Sequence, residues 1–195
     1  MQNNTYLKAS LLNKEQQQIL LDIASQSILS GLETNQPKRI LPEQYSDELQ
    51  KQRATFVTLN INQQLRGCIG SLSAYQSLVE DVSANAFAAA FSDPRFPNLS
   101  VKEFPQLDYH ISILSPSKPM IFNSQENLLS QLQPNIDGLI LTEGSQRGTF
   151  LPSVWEQLSD KKQFLNHLKQ KAGLAADYWS DSIQISRYTV ESIKS

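Results

Sequence analysis

The chain holds a single cysteine, Cys68, inside the hexapeptide Leu65-Arg66-Gly67-Cys68-Ile69-Gly70. Side chains alternate along an extended strand, so the spacing puts Arg66 and Cys68 on one face and Leu65 and Ile69 on the other. A guanidinium beside a thiol favours the thiolate, the form that acts as a nucleophile or redox group. Gly67 and Gly70 weaken a strand unless the backbone bends or something comes close to it. They therefore predict a bulge, or a ligand or second chain lying against bare backbone. The plainer reading is that free cysteine is among the most buried residue types and fills a core. The spacing alone leaves both open.

A cysteine nucleophile needs a base, and only His110 and His167 exist. His110 falls on the polar phase of its strand with Asp108 and Ser112. It shares a side with Cys68 if their strands are neighbours, and otherwise faces solvent. His167 sits beside the inward stripe of Phe164, Leu165 and Leu168 and reads as surface. The second notable segment is Asp93-Pro94-Arg95-Phe96-Pro97. Two prolines stiffen it, and Asp93 can brace Arg95 or cap a turn. A fixed arginine suits a carboxylate or a phosphate, although a helix terminator with a local ion pair has the same letters.

The candidate binding residues are thus Arg66, Gly67, Gly70, the inward polar Asn85, Asp93, Arg95 and Arg147. Cys68 is the candidate nucleophile and His110 its candidate base. One cysteine and two scattered histidines offer no metal-ligand spacing. There is no phosphate-binding glycine loop, no Gly-x-Ser-x-Gly elbow and no paired-carboxylate motif. The residues call for no cofactor and no metal. Trp155, Tyr178 and Trp179 read as packing residues.

These residues must be positioned by helices and strands. Asn13 and Gln16 make a capping box for a helix over 13–31, with Leu20, Ile23, Ala24 and Ile28 at helical spacing and Gly31 as its stop. The β-branched run 55–61 predicts a strand, 62–64 a turn and 65–72 its hairpin partner. Ser77 and Glu80 cap a helix to 91 with Val79, Val82, Ala86 and Ala90 inward; its alanines predict close approach to a sheet. A helical turn follows at 100–104 and a half-buried strand at 107–114. Beyond a short helix at 127–132, strands at 139–142 and 146–151 form a second hairpin. A short helix starts at Pro152, Asp160 and Gln163 cap a longer one stopped by Gly173, and 182–190 closes as a strand. The order strand, strand, helix, helix, strand therefore occurs over about 55–115 and again over about 137–192. An Arg-Gly pair lies in the second strand each time: Arg66-Gly67 and Arg147-Gly148. This suggests an α+β fold with a duplicated ββααβ unit and pseudo-twofold symmetry, although hairpin-plus-helix order also recurs in unrelated small α+β proteins.

A chain of 195 residues buries enough surface for one core or two small fused ones. With 39% hydrophobic and 18% charged residues, nothing marks it as disordered or fibrous. A net charge of −2, with 17 scattered Lys and Arg, argues against gripping phosphate backbones. A lone cysteine closes no internal disulfide and suits a reduced compartment. Met1-Gln2-Asn3-Asn4-Thr5-Tyr6 lacks a charged region leading an apolar one, and the longest apolar run, around 86–91, is too short for a bilayer. The chain reads as soluble and cytoplasmic.

The hexapeptide followed by Asp93-Pro94-Arg95-Phe96-Pro97 resembles the AMMECR-one family, named from the human AMME syndrome candidate gene. The likeness continues through Asp137-Gly138-Leu139, Arg147-Gly148-Thr149-Phe150-Leu151-Pro152 with Trp155, Lys171-Ala172-Gly173 and Arg187-Tyr188. It covers about 56–192 and is strongest to the short prokaryotic branch called AmmeMemoRadiSam system protein A. Members of that branch are encoded with, or fused to, a Memo-like protein and a radical-SAM protein, so the resemblance implies those two partners. It also implies a single domain over 1–195, built as two unequal, intimately joined lobes. The hexapeptide is then the functional centre, which carries over to Arg66, Gly67, Cys68 and Gly70. The family's activity is not established, and relatives commonly hold a carboxylate where His110 stands, which weighs against a shared Cys68–His110 dyad. Two functions follow. One is a binding or assembly module whose cleft at 65–70, lined by Arg66, Arg95 and Arg147, takes a small anion or a partner segment. The other is a thiol-dependent enzyme using Cys68 alongside the same partners.

Overall fold

Asn13 accepts the backbone N–H of Gln16 at 2.8 Å, and the Gln16 side chain accepts that of Asn13 at 3.0 Å. The expected capping box thus opens the first helix. The computed structural model describes residues 12–195, so the reading of Met1 to Tyr6 lies outside the described residues. In chain order the helices are α1 (Lys14–Thr34), α2 (Asp47–Gln50), α3 (Leu78–Phe91), α4 (Gln125–Gln131) and α5 (Lys161–Lys171). The strands are β1 (Thr55–Ile61), β2 (Gln64–Gly70), β3 (Asp108–Leu114), β4 (Lys118–Pro119), β5 (Gly138–Glu143), β6 (Gln146–Phe150), β7 (Gln184–Tyr188) and β8 (Val190–Lys194). The fold is α+β, with two antiparallel four-stranded sheets ordered β2-β1-β3-β8 and β4-β7-β5-β6.

The chain divides into two units, one running to Ile113 and including Glu191–Ser195, the other Leu114–Val190. In the first, Val57 and Leu59 of β1 and Ile111 and Ile113 of β3 form the buried face of the sheet. Val79, Val82, Ala86 and Ala90 of α3 cover that face, joined by Leu20, Ile23, Ala24 and Ile28 of α1. Each fully buried branched side chain contributes roughly 1.5–3 kcal/mol by leaving water, so this layer dominates the unit. The second unit packs Trp155, Phe164, Leu165 and Leu168 on Leu139, Leu141 and Ile185. Among the described residues no helix is long and apolar enough to cross a membrane.

The expected end of α1 is corrected. Gly31 does not stop α1, which ends at the left-handed Asn35 (φ 57°). A Cβ at Gly31 would sit 2.3 Å from the Phe91 ring, so this glycine lets α1 lie close against the end of α3. The helical turn expected at 100–104 is present, closed by the Glu103 and Phe104 N–H groups on the Ser100 carbonyl, and it runs on into a 3-10 helix over Phe104–Gln106. The closing strand expected at 182–190 is β7, which joins the second sheet, and a further, unexpected strand, β8, follows Thr189 and joins the first. Alternation along 182–190 carries no information about which sheet a strand enters.

The two hairpins share one placement: in both sheets the second hairpin strand is the end strand and the returning strand lies beside the first. The helices between them do not repeat in order. A long helix precedes a 3-10 helix in the first unit, whereas a 3-10 helix (Pro152–Glu156) precedes α5 in the second.

Candidate functional site

β2 ends its sheet, and the register slips between Leu59 and Asn60, so that Leu59 faces Gly67 while Asn60 faces Leu65. Arg66 is the extra residue of this bulge, which breaks the simple alternation expected for Arg66 and Cys68. The bulge carries the guanidinium to the loop that follows α3. Its Nε donates to Glu103 Oε1 at 2.7 Å, and its Nη2 donates to the Pro97 carbonyl at 2.9 Å. Arg66 is 8% exposed, so its guanidinium is nearly buried, while its partner Glu103 keeps about a third of its side chain exposed. Glu103 is pulled down to about 2, first by Arg66 and then by the Ser100 hydroxyl.

The 93–97 loop runs along the open edge of β2. Asp93 Oδ2 accepts the backbone N–H of Cys68 at 2.9 Å. The same carboxylate takes Arg95 from the side, Nε to Oδ1 at 2.9 Å and Nη2 to Oδ2 at 2.7 Å, and Arg95 Nη2 also donates to the Cys68 carbonyl at 3.4 Å. Arg95, foremost, holds the Asp93 carboxyl well below the usual carboxylate range; the Cys68 and Arg95 backbone N–H groups act in the same sense against burial. Asp93 is buried, while the Arg95 side chain is 54% exposed. Among the described residues no acceptor takes Arg95 Nη1. Both arginines flank the Phe96 ring, at 5.8 and 5.5 Å from its centroid.

The glycines have internal reasons. A Cβ at Gly67 would lie 2.1 Å from the Ala89 carbonyl of α3, and one at Gly70 would lie 2.3 Å from the Thr55 carbonyl. The close approach predicted from the sequence is therefore filled by the chain's own backbone, not by a ligand. Asn85 is inward as expected, but its Nδ2 donates to the Thr55 carbonyl, the Thr55 hydroxyl and Asp81 at 2.9–3.2 Å. Asp81, fully buried and pushed up by that burial, also accepts the Thr55 N–H and hydroxyl. Asn85 thus belongs to a buried network tying α3 to the start of β1.

Cys68 is half-buried and not a core filler. It lies directly opposite Thr58, and Thr58 opposite His110, so the three form a row on the sheet face turned away from the helices. The Thr58 hydroxyl donates to Cys68 Sγ at 3.2 Å. β2 and β3 are not neighbours; β1 lies between them. Two strand spacings, roughly 9–10 Å, separate Cys68 from His110, which puts that histidine out of reach as a direct base. His167 is exposed, as expected. Arg147 is exposed on β6 in the second unit, whereas Arg66, Asp93 and Arg95 belong to the first. Among the described residues no three of His, Cys, Asp and Glu gather to hold a metal ion.

Sequence reasoning missed Glu103, Thr58 and Asp81. Ser100-Val101-Lys102-Glu103 has the Ser-x-x-Glu form of a capping box, and Ser100 does donate its N–H and hydroxyl to Glu103. That signal marks Glu103 as fixed, though not its partner. Motifs of the second unit do structural work: Asp137 is buried 3.4 Å from Arg187, the Trp155 indole donates to the Asp137 carbonyl, and the Tyr188 hydroxyl donates to that of Phe150.

A model of the AMMECR1 family matches residues 21–193. A protein of Methanothermobacter thermautotrophicus is 33% identical over 176 residues, covering 90% of this chain and 91% of the relative. One from Thermotoga maritima is 39% identical over 155 residues, covering 78% and 84%. Among solved structures, the uncharacterized protein PH0010 from Pyrococcus horikoshii superposes with a TM-score of 0.83 at 30% identity, covering 93% of this chain and 92% of that one.

Proposed function

The chain belongs to the AMMECR1 family, and within it we propose a binding module whose contact site is β2 at 65–70 with the 93–97 loop laid along it. The site takes a small anionic group or a carboxylate-bearing segment of a partner. Arg95 carries this reading. Asp93 grips its guanidinium from one side and the Cys68 carbonyl steadies it, while the side chain stays more than half exposed with Nη1 uncommitted. An arginine fixed in this way meets an oxyanion without first losing rotamer freedom.

Arg66 has a different part. Glu103 already matches its charge, so it holds the strand to the loop and does not meet the ligand. Each arginine is paired with a carboxylate, so the site attracts through directed donors more than through net charge. Memo-like and radical-SAM proteins are the partners this reading favours, in the cytoplasm, where a half-exposed thiol stays reduced. Co-expression with those two proteins, followed by capture and mass spectrometry of any retained small molecule, tests it.

A thiol-dependent reaction at Cys68 is the second reading, favoured by the Thr58 hydroxyl 3.2 Å from Sγ. Its base must come from the ligand or a partner, since His110 is two strands away. The Cys68→Ser variant separates the two: binding survives it, and a thiol reaction does not.

A further inference from the structure

The two hairpins finish their sheets in different ways. Both turns have two residues, Asn62-Gln63 and Gly144-Ser145, so the closing pairs Ile61–Gln64 and Glu143–Gln146 are hydrogen-bonded. From there, backbone groups alternate between facing the partner strand and facing outward. In β2, the first outward residue past the bulge is Cys68, and Asp93 and Arg95 take its N–H and its carbonyl. The bulge and this cover together close the edge to any further strand.

β6 has neither device. Its register with β5 runs unbroken from Gln146 to Phe150, and among the described residues β5 is its one neighbour. The same alternation turns the N–H and C=O groups of Arg147 and Thr149 outward, and among the described residues no backbone group pairs with them. An unblocked edge of this kind is a template for an added strand.

The charges beside this edge select what can be added. Arg147 is exposed on one face of β6. On the other, where Gly148 lies against the end of α5, the Lys171 amine stands 5.1 Å from the Phe150 ring centroid. β6 carries no carboxylate. Glu143, just across the turn, already accepts the hydroxyls of Tyr178 and Ser182. An added strand presents alternate side chains to both faces, so each face offers a cation to an acidic residue.

We propose that β6 is a strand-addition edge that receives an extended acidic segment of a partner protein, hydrogen-bonded to Arg147 and Thr149. The test is residue-resolved amide exchange on the full chain, with a blocked decapeptide of repeating Val-Val-Glu-Glu, which sets Glu on both faces of an added strand, as the probe. The amides of Arg147 and Thr149 should exchange freely in the protein alone and slow by about tenfold or more with saturating peptide, while the inward amides of Gly148 and Phe150 are unchanged. Arg147→Glu should abolish the effect with the thermal melt intact, and Arg147→Gln should weaken it. The proposal is overturned if those two amides are protected without peptide, if the peptide does not slow them, or if a Val–Lys peptide does so equally. Protection that tracks protein concentration and a dimer in sedimentation would overturn it in favour of a second copy.

Discussion

The backbone N–H of Cys68 donates to the Asp93 carboxylate at 2.9 Å, and the same carboxylate grips Arg95 from the side. One buried acid therefore fixes both the strand that carries the thiol and the arginine beside it. The two sequence motifs that stood out separately form one structural device.

Asp93→Ala should cost about 1.5–3 kcal/mol, because hydrogen bonds to a charged group are lost and the Cys68 N–H is stranded. Urea unfolding measures this, and Cys68 amide exchange should rise with it. A loss below about 0.5 kcal/mol would show that the loop is not pinned through Asp93.

Stability should fall in acid through the same device. Glu103 sits at about 2 in the fold, against roughly 4.3 for an ordinary glutamate. For a depressed carboxyl the stabilisation is complete above the unfolded value and drains away as pH drops toward the folded one. Asp93 acts in the same direction. Between pH 5 and pH 3 the wild type should therefore lose stability that Glu103→Gln does not, about 1 kcal/mol after allowing for the exposed third of the Glu103 side chain. Equal slopes for both proteins would contradict the Arg66–Glu103 pairing.

The glycines give a graded test of packing. Gly67→Ala drives a Cβ into the Ala89 carbonyl, which is helix backbone, whereas Gly31→Ala meets the rings of Phe91 and Phe87. Rings can turn and backbone cannot, so Gly67→Ala should cost at least about 2 kcal/mol and Gly31→Ala less. The reverse order in thermal or urea unfolding would be inconsistent with α3 lying directly on β2.

His110→Ala should leave the alkylation rate of Cys68 within about twofold, since a base acts only within hydrogen-bond reach. A drop of tenfold or more would require the two side chains to meet, against the strand order β2-β1-β3.

Local structure was readable where a cap or a period names it. The boxes at Asn13 and Ser77 and the run 55–61 lie where the sequence puts them. The hexapeptide was marked by its glycines and the bulge they suggest is present, but what lies against Gly67 was not readable, because a glycine looks the same whether a ligand or the Ala89 carbonyl fills its space. The partner of Arg66 was hidden since Glu103 lies 37 residues away in a loop. The distance from Cys68 to His110 was hidden too, because alternation gives a side chain's face and not the order of strands. Arg95 and Asp93 were readable as a pair, being two residues apart in a segment stiffened by Pro94 and Pro97.

The most direct measurement of the central claim is capture of the co-expressed Memo-like and radical-SAM proteins by the wild type, Arg95→Ala, Arg95→Lys and Cys68→Ser, each with its thermal melt. Arg95→Ala should lose capture by about tenfold or more without a large change in melting, Arg95→Lys should recover part of it, and Cys68→Ser should bind as the wild type does. Undiminished capture by Arg95→Ala, loss in Cys68→Ser, or no capture by the wild type would contradict a binding site built around the arginine that Asp93 holds.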